Sequence, residues 1–169
     1  MSEATFRVTL GKEDFKFSAA HFTIFPSGQS EPLHGHNYRV TLELTGSKLD
    51  PDGLLVDFDR VKRAIRKLCA RLDGRTLLPA RSRDLRWRRT RQAVEIELAE
   101  RSWRLPPREV VFLPLANTSI ELLAHFLWDE LAPELGSSQI EVLGVAVEET
   151  SGQRCLYEAP LPTGRRSRR

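Results

Sequence analysis

Residues 34–45 read His-Gly-His-Asn-Tyr-Arg-Val-Thr-Leu-Glu-Leu-Thr, and the second part of that stretch decides the fold. From Asn37 to Thr45 apolar and polar side chains alternate and β-formers dominate, which predicts a strand with one buried and one polar face. Toward the N-terminus, residues 4–10 and 13–21 alternate over much of their length. They predict either one long bent strand or a hairpin through Gly11. Toward the C-terminus, Gly46 to Gly53 with Pro51-Asp52-Gly53 is a turn, because Pro fixes φ and Gly supplies a positive φ. Phe58, Val61, Ile65, Leu68 and Leu72 then recur at spacings of three and four, predicting an amphipathic helix over 57–72. A second helix is predicted to open at Thr118, an N-cap with Glu121 three residues on as a capping box. Ile120, Leu123, Ala124, Leu127 and Leu131 form its apolar stripe. Ile140–Glu148 and Arg154–Tyr157, joined by a turn at Ser151-Gly152-Gln153, read as two closing strands.

Between the helices, residues 79–112 contain a predicted hairpin, Ala93–Leu98 against Ser102–Leu105. The order strand, strand, helix, helix, strand, strand describes an α+β fold. It is a four-stranded antiparallel sheet with two helices inserted between strands 2 and 3, plus a hairpin insertion. Residues 1–160 read as a single domain and 161–169 as a basic, disordered tail.

The 169 residues suit one domain, and 40% hydrophobic with 29% charged residues exclude a disordered chain. No apolar stretch reaches the roughly 20 residues of a membrane-spanning helix. The first residues, Met-Ser-Glu-Ala-Thr-Phe-Arg, lack the apolar run of an export signal. Two cysteines, Cys69 and Cys155, are too few for a disulfide framework, so a cytoplasmic setting is the expectation. The net charge of +3 is unevenly placed. Residues 81–91 hold six arginines against Asp84, and residues 165–169 hold four more, so the remainder of the chain carries −6. Arginines interleaved with Trp87 suit base stacking, a solvated hairpin, or attraction of an anionic small molecule. Nucleic acid is not the expected partner.

Three of the four histidines, His21, His34 and His36, fall within 16 residues. In extended chain His34 and His36 share a face, and a neighbouring strand brings His21 level with them. Three imidazoles with a fourth position open form a catalytic zinc arrangement, and nitrogen donors favour zinc over magnesium or calcium. His125, on the second helix, is expected to have no metal role. Cys69, on the edge of the first helix's stripe, reads as a small buried apolar residue.

Phe17-Ser18-Ala19-Ala20-His21, Leu33-His34-Gly35-His36-Asn37-Tyr38-Arg39-Val40 and Leu55-Val56-Asp57-Phe58 together resemble the 6-pyruvoyl-tetrahydropterin synthase / 6-carboxytetrahydropterin synthase family. The likeness continues through Leu72-Asp73, Thr118–Glu121 and Val147-Glu148-Glu149-Thr150, spanning roughly residues 5–158. It implies the tunnelling fold (T-fold), with subunits joined into a barrel, a homohexamer built as a dimer of trimers, and active sites at subunit boundaries. It also implies Zn2+ on His21, His34 and His36, and a pterin anchored by Glu149, with Ser119 and Thr118 beside it. A carboxylate suits that anchoring because it accepts two parallel hydrogen bonds from a guanidine-like edge.

Two positions depart from the family pattern. Where most members carry a cysteine base, four residues before the first His of His-Gly-His, this chain has Ser30, and Glu31 follows it. The runs here resemble the branch found in malaria parasites and some bacteria, in which a glutamate replaces that cysteine. That branch cleaves the side chain of 7,8-dihydroneopterin triphosphate to 6-hydroxymethyl-7,8-dihydropterin. The resemblance thus implies catalytic roles for Glu31 and Asp73, with zinc easing ionisation of a substrate hydroxyl beside Glu31. The histidine that follows the family's aspartate is Gly74 here, and Arg75 comes next. The alternative expectation is therefore a pterin-binding paralogue with weak or lost turnover.

Overall fold

A computed structural model describes residues 4–136 and 139–162. The two N-terminal alternating segments are strands β1 (Phe6–Leu10) and β2 (Lys16–His21), and both run antiparallel along one edge of β3 (His34–Gly46). Phe6 lies opposite Gly46 and Leu10 opposite Leu42; after the break, Lys16 lies opposite Arg39 and His21 opposite His34. This is the bent-strand reading, with a turn closed by Phe15 N–H donating to Lys12 O at 3.0 Å. β9 (Val142–Thr150) pairs with the other edge of β3, and β10 (Gln153–Pro160) continues antiparallel beyond β9. Gly152, at φ +87°, makes the turn between them. These are the four antiparallel strands expected.

Helices α1 (Phe58–Leu72) and α2 (Ile120–Leu135) come between β3 and β9 in the chain, and their buried residues join the sheet in the main core. In α1, Asp57 caps the first turn by accepting from Asp59 N–H at 2.8 Å. Val61, Ile65, Leu68, Cys69 and Leu72 are buried as predicted, but Phe58 is 44% exposed and lies off the stripe. At α2 the capping box does not form. Ser119 is the N-cap without a side-chain cap bond. Thr118, one residue earlier, is fully buried and donates its hydroxyl to Phe22 O at 2.8 Å. The core draws the threonine inward before it can cap. Leu123, Ala124, Leu127 and Leu131 are buried.

Two strands of the main sheet lie outside the sequence expectation. β4 (Arg75–Pro79) runs parallel to β2, and β8 (Val110–Leu113) runs parallel to β4. They extend the sheet to seven strands in the order β10-β9-β3-β2-β4-β8, with β1 also on β3. Their apolar runs are short and do not alternate, so period two cannot reveal them. The insertion builds a separate antiparallel sheet of β5 (Arg86–Arg89), β6 (Val94–Leu98) and β7 (Arg101–Leu105). The predicted hairpin is β6 and β7, with Val94 opposite Leu105. β5 is the added strand, exposed at every residue and therefore without a periodic signal. Leu161, read as tail, is buried and donates its N–H to Glu141 O at 2.8 Å. The basic tail from 163 to 169 lies outside the described residues.

A second apolar cluster joins the insertion to the main sheet. It contains Phe22, Ile24, Leu78, Leu85, Val94 and Ile96, with Leu33 and Trp103 packed against it. Among the described residues, no helix is long and apolar enough to cross a membrane.

Gly46 ends β3 where two segments meet. A Cβ there would lie 1.9 Å from Gln139 O and 2.8 Å from Leu55 Cδ1. Gly46→Ala should cost about 1–3 kcal/mol of stability through overpacking. Urea denaturation checks this, and parental stability would show that the Gln139 segment yields freely.

Candidate active site

One face of β3 carries His34, His36, Tyr38, Val40, Leu42 and Leu44 in succession, as period two requires. Its last four are fully buried; its first two are half-buried and sit at the open end. The core and the site are thus consecutive parts of one sheet face. β2 supplies His21 directly opposite His34. β9 supplies Glu149, two residues beyond Val147, which pairs with Val40. The ring centroids lie 4.7 Å apart for His21–His34 and His34–His36, and 5.3 Å for His21–His36. One donor atom from each of His21, His34, His36 and Glu149 falls within 4.8 Å of the others.

The hydrogen bonds fix which ring nitrogens face inward. His21 Nδ1 lies 3.0 Å from Thr118 O and His34 Nδ1 lies 2.8 Å from Pro32 O. A carbonyl only accepts, so both Nδ1 atoms carry hydrogen, and in the neutral ring it is Nε2 that presents the lone pair. Burial holds His21 below the ordinary imidazole range, against the opposing pull of Thr118 O and Glu149, so the ring is neutral. Its Nε2 is buried with no hydrogen-bond partner, yet lies 2.9 Å from Glu149 Oε1. Two acceptor lone pairs at that distance repel unless a cation stands between them. His36 Nε2 is 3.3 Å from the same oxygen. An orphaned nitrogen lone pair among three imidazoles and a carboxylate fits zinc.

Tyr38 closes the inner side of the cluster. It is fully buried, stacks on Phe17 at 4.8 Å, and donates its hydroxyl to Glu149 Oε1 at 3.3 Å. Burial and then the Glu149 charge push the phenol well above its ordinary pKa, so Tyr38 is a donor and not a base. Sequence reasoning missed it as a site residue, although its place two residues after His36 is the available signal.

Glu31 lies in the connection between β2 and β3. Its Oε2 accepts from Thr23 N–H at 3.0 Å, and its own N–H donates to Thr23 O at 3.0 Å. Burial would raise its pKa, but the Thr23 hydrogen bond and the nearby His34 and His21 outweigh this and hold the carboxyl below its usual range. Among the described residues Oε1 takes no hydrogen bond. The result is a carboxylate within electrostatic reach of His34 and His21, with one oxygen held by Thr23 and the other free.

The remaining predicted residues divide. Thr118 is fully buried; its carbonyl sets the His21 tautomer and its hydroxyl is committed to Phe22, so it supports the cluster from within. Ser119 is half-buried with its hydroxyl uncommitted by capping. Asp73 is not in the cluster. It is the C-cap of α1, and its Oδ1 accepts from Ser18 N–H at 2.8 Å. Gly74 follows at φ +66°, a left-handed conformation that favours glycine, and donates its N–H to Ser18 O at 2.7 Å. Arg75 donates to Arg108 O, tying β4 to the segment before β8. His125 stacks on Tyr157 at 4.3 Å, outside the cluster.

Comparison with known proteins agrees with this geometry. A 6-carboxy-5,6,7,8-tetrahydropterin synthase assigned putatively in Methanocaldococcus jannaschii is 27% identical over 149 residues, covering 86% of this chain and 91% of that protein. The Bacillus subtilis 6-carboxy-5,6,7,8-tetrahydropterin synthase is 39% identical over 54 residues, 31% of this chain and 37% of that protein. The crystal structure of Plasmodium vivax 6-pyruvoyl tetrahydropterin synthase superposes with a TM-score of 0.87 at 28% identity, covering 93% of this chain and 99% of that one. A variant of the Plasmodium vivax enzyme, in which alanine replaces a glutamate described as a catalytic residue, gives the same TM-score at 27% identity over the same shares. The family model described as 6-pyruvoyl tetrahydropterin synthase matches residues 10–160, and with the T-fold and the histidine cluster in place, the chain belongs to that family.

Proposed function

We propose that this protein is a zinc-dependent lyase that cleaves the side chain of 7,8-dihydroneopterin triphosphate to give 6-hydroxymethyl-7,8-dihydropterin. The observation that carries the reading is the Glu31 carboxylate, held on one oxygen by Thr23 N–H and within electrostatic reach of His34 and His21, at a place where the chain has no cysteine. A catalytic glutamate in the similar Plasmodium vivax enzyme supports it. His21, His34 and His36 would hold Zn2+, which when bound acts as a Lewis acid and lowers the pKa of a substrate hydroxyl.

The chain's own residues supply the rest. Glu149 would accept the amino and ring N–H edge of the pterin, with Ser119 beside it. Thr23 N–H holds one Glu31 oxygen, leaving Oε1 to take the proton of the C2′ hydroxyl. The C1′–C2′ bond then breaks, C2′ becoming an aldehyde that keeps the triphosphate while the electron pair passes to C1′ and the pterin ring. Glu31 returns its proton to C1′. One carboxylate therefore both removes and replaces the proton, and no histidine at position 74 is required. Asp73, at the α1 C-cap, would act only across a subunit boundary. A hexamer built as a dimer of trimers is consistent with the sheet, whose outer strands β8 and β10 each pair on one side. A single-sided strand is a ready edge for another copy.

Incubating the zinc-loaded protein with 7,8-dihydroneopterin triphosphate and identifying the products tests the assignment. 6-Hydroxymethyl-7,8-dihydropterin is expected, whereas tight pterin binding without product would favour the non-catalytic paralogue. Glu31→Gln keeps the shape and removes the base, so kcat should fall by about a hundredfold. A loss below about tenfold, roughly 1.4 kcal/mol of barrier, would count against it. His34→Ala or His36→Ala should abolish stoichiometric zinc by elemental analysis. Glu149→Ala separates two roles for that carboxylate: retained zinc with a raised KM marks a pterin anchor, and lost zinc marks a metal ligand.

A further inference from the structure

The segment that carries Glu31 is held from outside by the insertion. Residues 22–33 connect His21 to His34, so their conformation bears on the cluster from both ends. Within this connection Phe25 N–H donates to Gln29 O at 2.8 Å, and Ile24 pairs with Ser30 in an isolated bridge. Asn117 fastens Ile24 at both its N–H and its carbonyl, at 3.0 and 2.8 Å. The apolar side packs on the three-stranded sheet. Phe22 stacks on Trp103 with centroids 5.4 Å apart and planes at 14°, and Ile24 and Leu33 join Val94, Ile96 and Leu98 in the second cluster.

At the end of that sheet Arg101 opens β7, immediately after a tight turn in which Ala99 adopts φ +50°. Its Nη1 donates to Glu31 O at 2.6 Å and lies 3.3 Å from Ser30 Oγ and 3.2 Å from Ser30 O. A guanidinium on a carbonyl is a charge-assisted bond, stronger than a neutral one. Glu31 is thereby gripped on opposite ends of its backbone: its N–H by Thr23, its carbonyl by Arg101.

We infer that Arg101 is a positioning residue for Glu31, and that the insertion serves the reaction by fixing the peptide from which this carboxylate projects. The inference rests on the reading of Glu31 as the base. Arg101 itself touches no reacting atom. Its contribution is orientation, where displacement of about 1 Å costs up to a hundredfold in rate.

The test is a double-mutant cycle in the zinc-loaded protein with 7,8-dihydroneopterin triphosphate. Arg101→Ala should lower kcat by about tenfold to a hundredfold, leaving KM and zinc content within about twofold. Arg101→Lys, which keeps a cation within reach of the carbonyl, should recover part of the loss. In a Glu31→Gln background, Arg101→Ala should cost nothing further. An equal loss in both backgrounds, or none in the parent, would overturn the inference. Amide hydrogen exchange decides the matter even if the parent forms no product, an outcome that would sink the proposed activity alone. In Arg101→Ala the Thr23 and Glu31 amides should exchange at least about tenfold faster while those of β6 and β7 keep their protection. Unchanged exchange at Thr23 and Glu31, or loosening of the whole insertion, would show that Arg101 does not position Glu31.

Discussion

His21 and His34 face each other across β2 and β3, and the rest of the site follows from that pairing. Side chains in a strand alternate faces, so shifting β2 by one residue would send His21 to the opposite side. The register is held by apolar residues far from the histidines. Phe17 and Ala19 on β2, and Tyr38, Val40, Leu42 and Leu44 on β3, share the inward face and are buried. A slip that removed His21 from the cluster would also expose Phe17. Burial of the core and assembly of the cluster are therefore one constraint, and the hydrophobic energy of the first enforces the geometry of the second.

The same coupling explains the charge balance at the open end of that face. His21 is fixed as a neutral ring with its lone pair inward, because Thr118 O takes the Nδ1 hydrogen and burial disfavours the cation. Glu149 brings a negative charge to the same point, and Tyr38 can only donate. An all-protein cluster of this kind is short of positive charge. The shortage is a stronger argument for a cation than the count of histidines, since it depends on tautomers and not on composition.

The four antiparallel strands of the main sheet, the β6–β7 hairpin, both helices and the three histidines were legible because each rests on a local period or spacing. Residues 37–45 alternate, α1 carries its apolar residues at three and four, and His34 and His36 stand two apart. What escaped has no local signature. β4 and β8 are parallel strands buried by elements distant in sequence. Thr118 looked like a cap because the capping pattern is local, while the carbonyl of Phe22 that claims its hydroxyl lies 96 residues away. Glu149 was legible only through family resemblance, and its approach to His21 needs the β3–β9 register. Tyr38 could have been read from period two alone.

Glycine at 74, where the family resemblance implies a histidine, has a structural logic that bears on the proposed chemistry. The chain leaves α1 through Asp73 and must enter β4 at Arg75, parallel to β2. It does so with Asp73 and Gly74 both bonded to the Ser18 backbone and Gly74 in the left-handed region. An imidazole-bearing residue there would be strained, and Asp73 already has a backbone partner within this chain. On the proposed reading, the acid–base work therefore concentrates on Glu31. Cleavage of the C1′–C2′ bond needs only one group that takes a proton from oxygen and returns it to carbon, whereas moving protons between several side-chain positions needs a second. On the proposed reading, a site with one free Glu31 oxygen, three imidazoles and glycine at position 74 is matched to the simpler proton inventory.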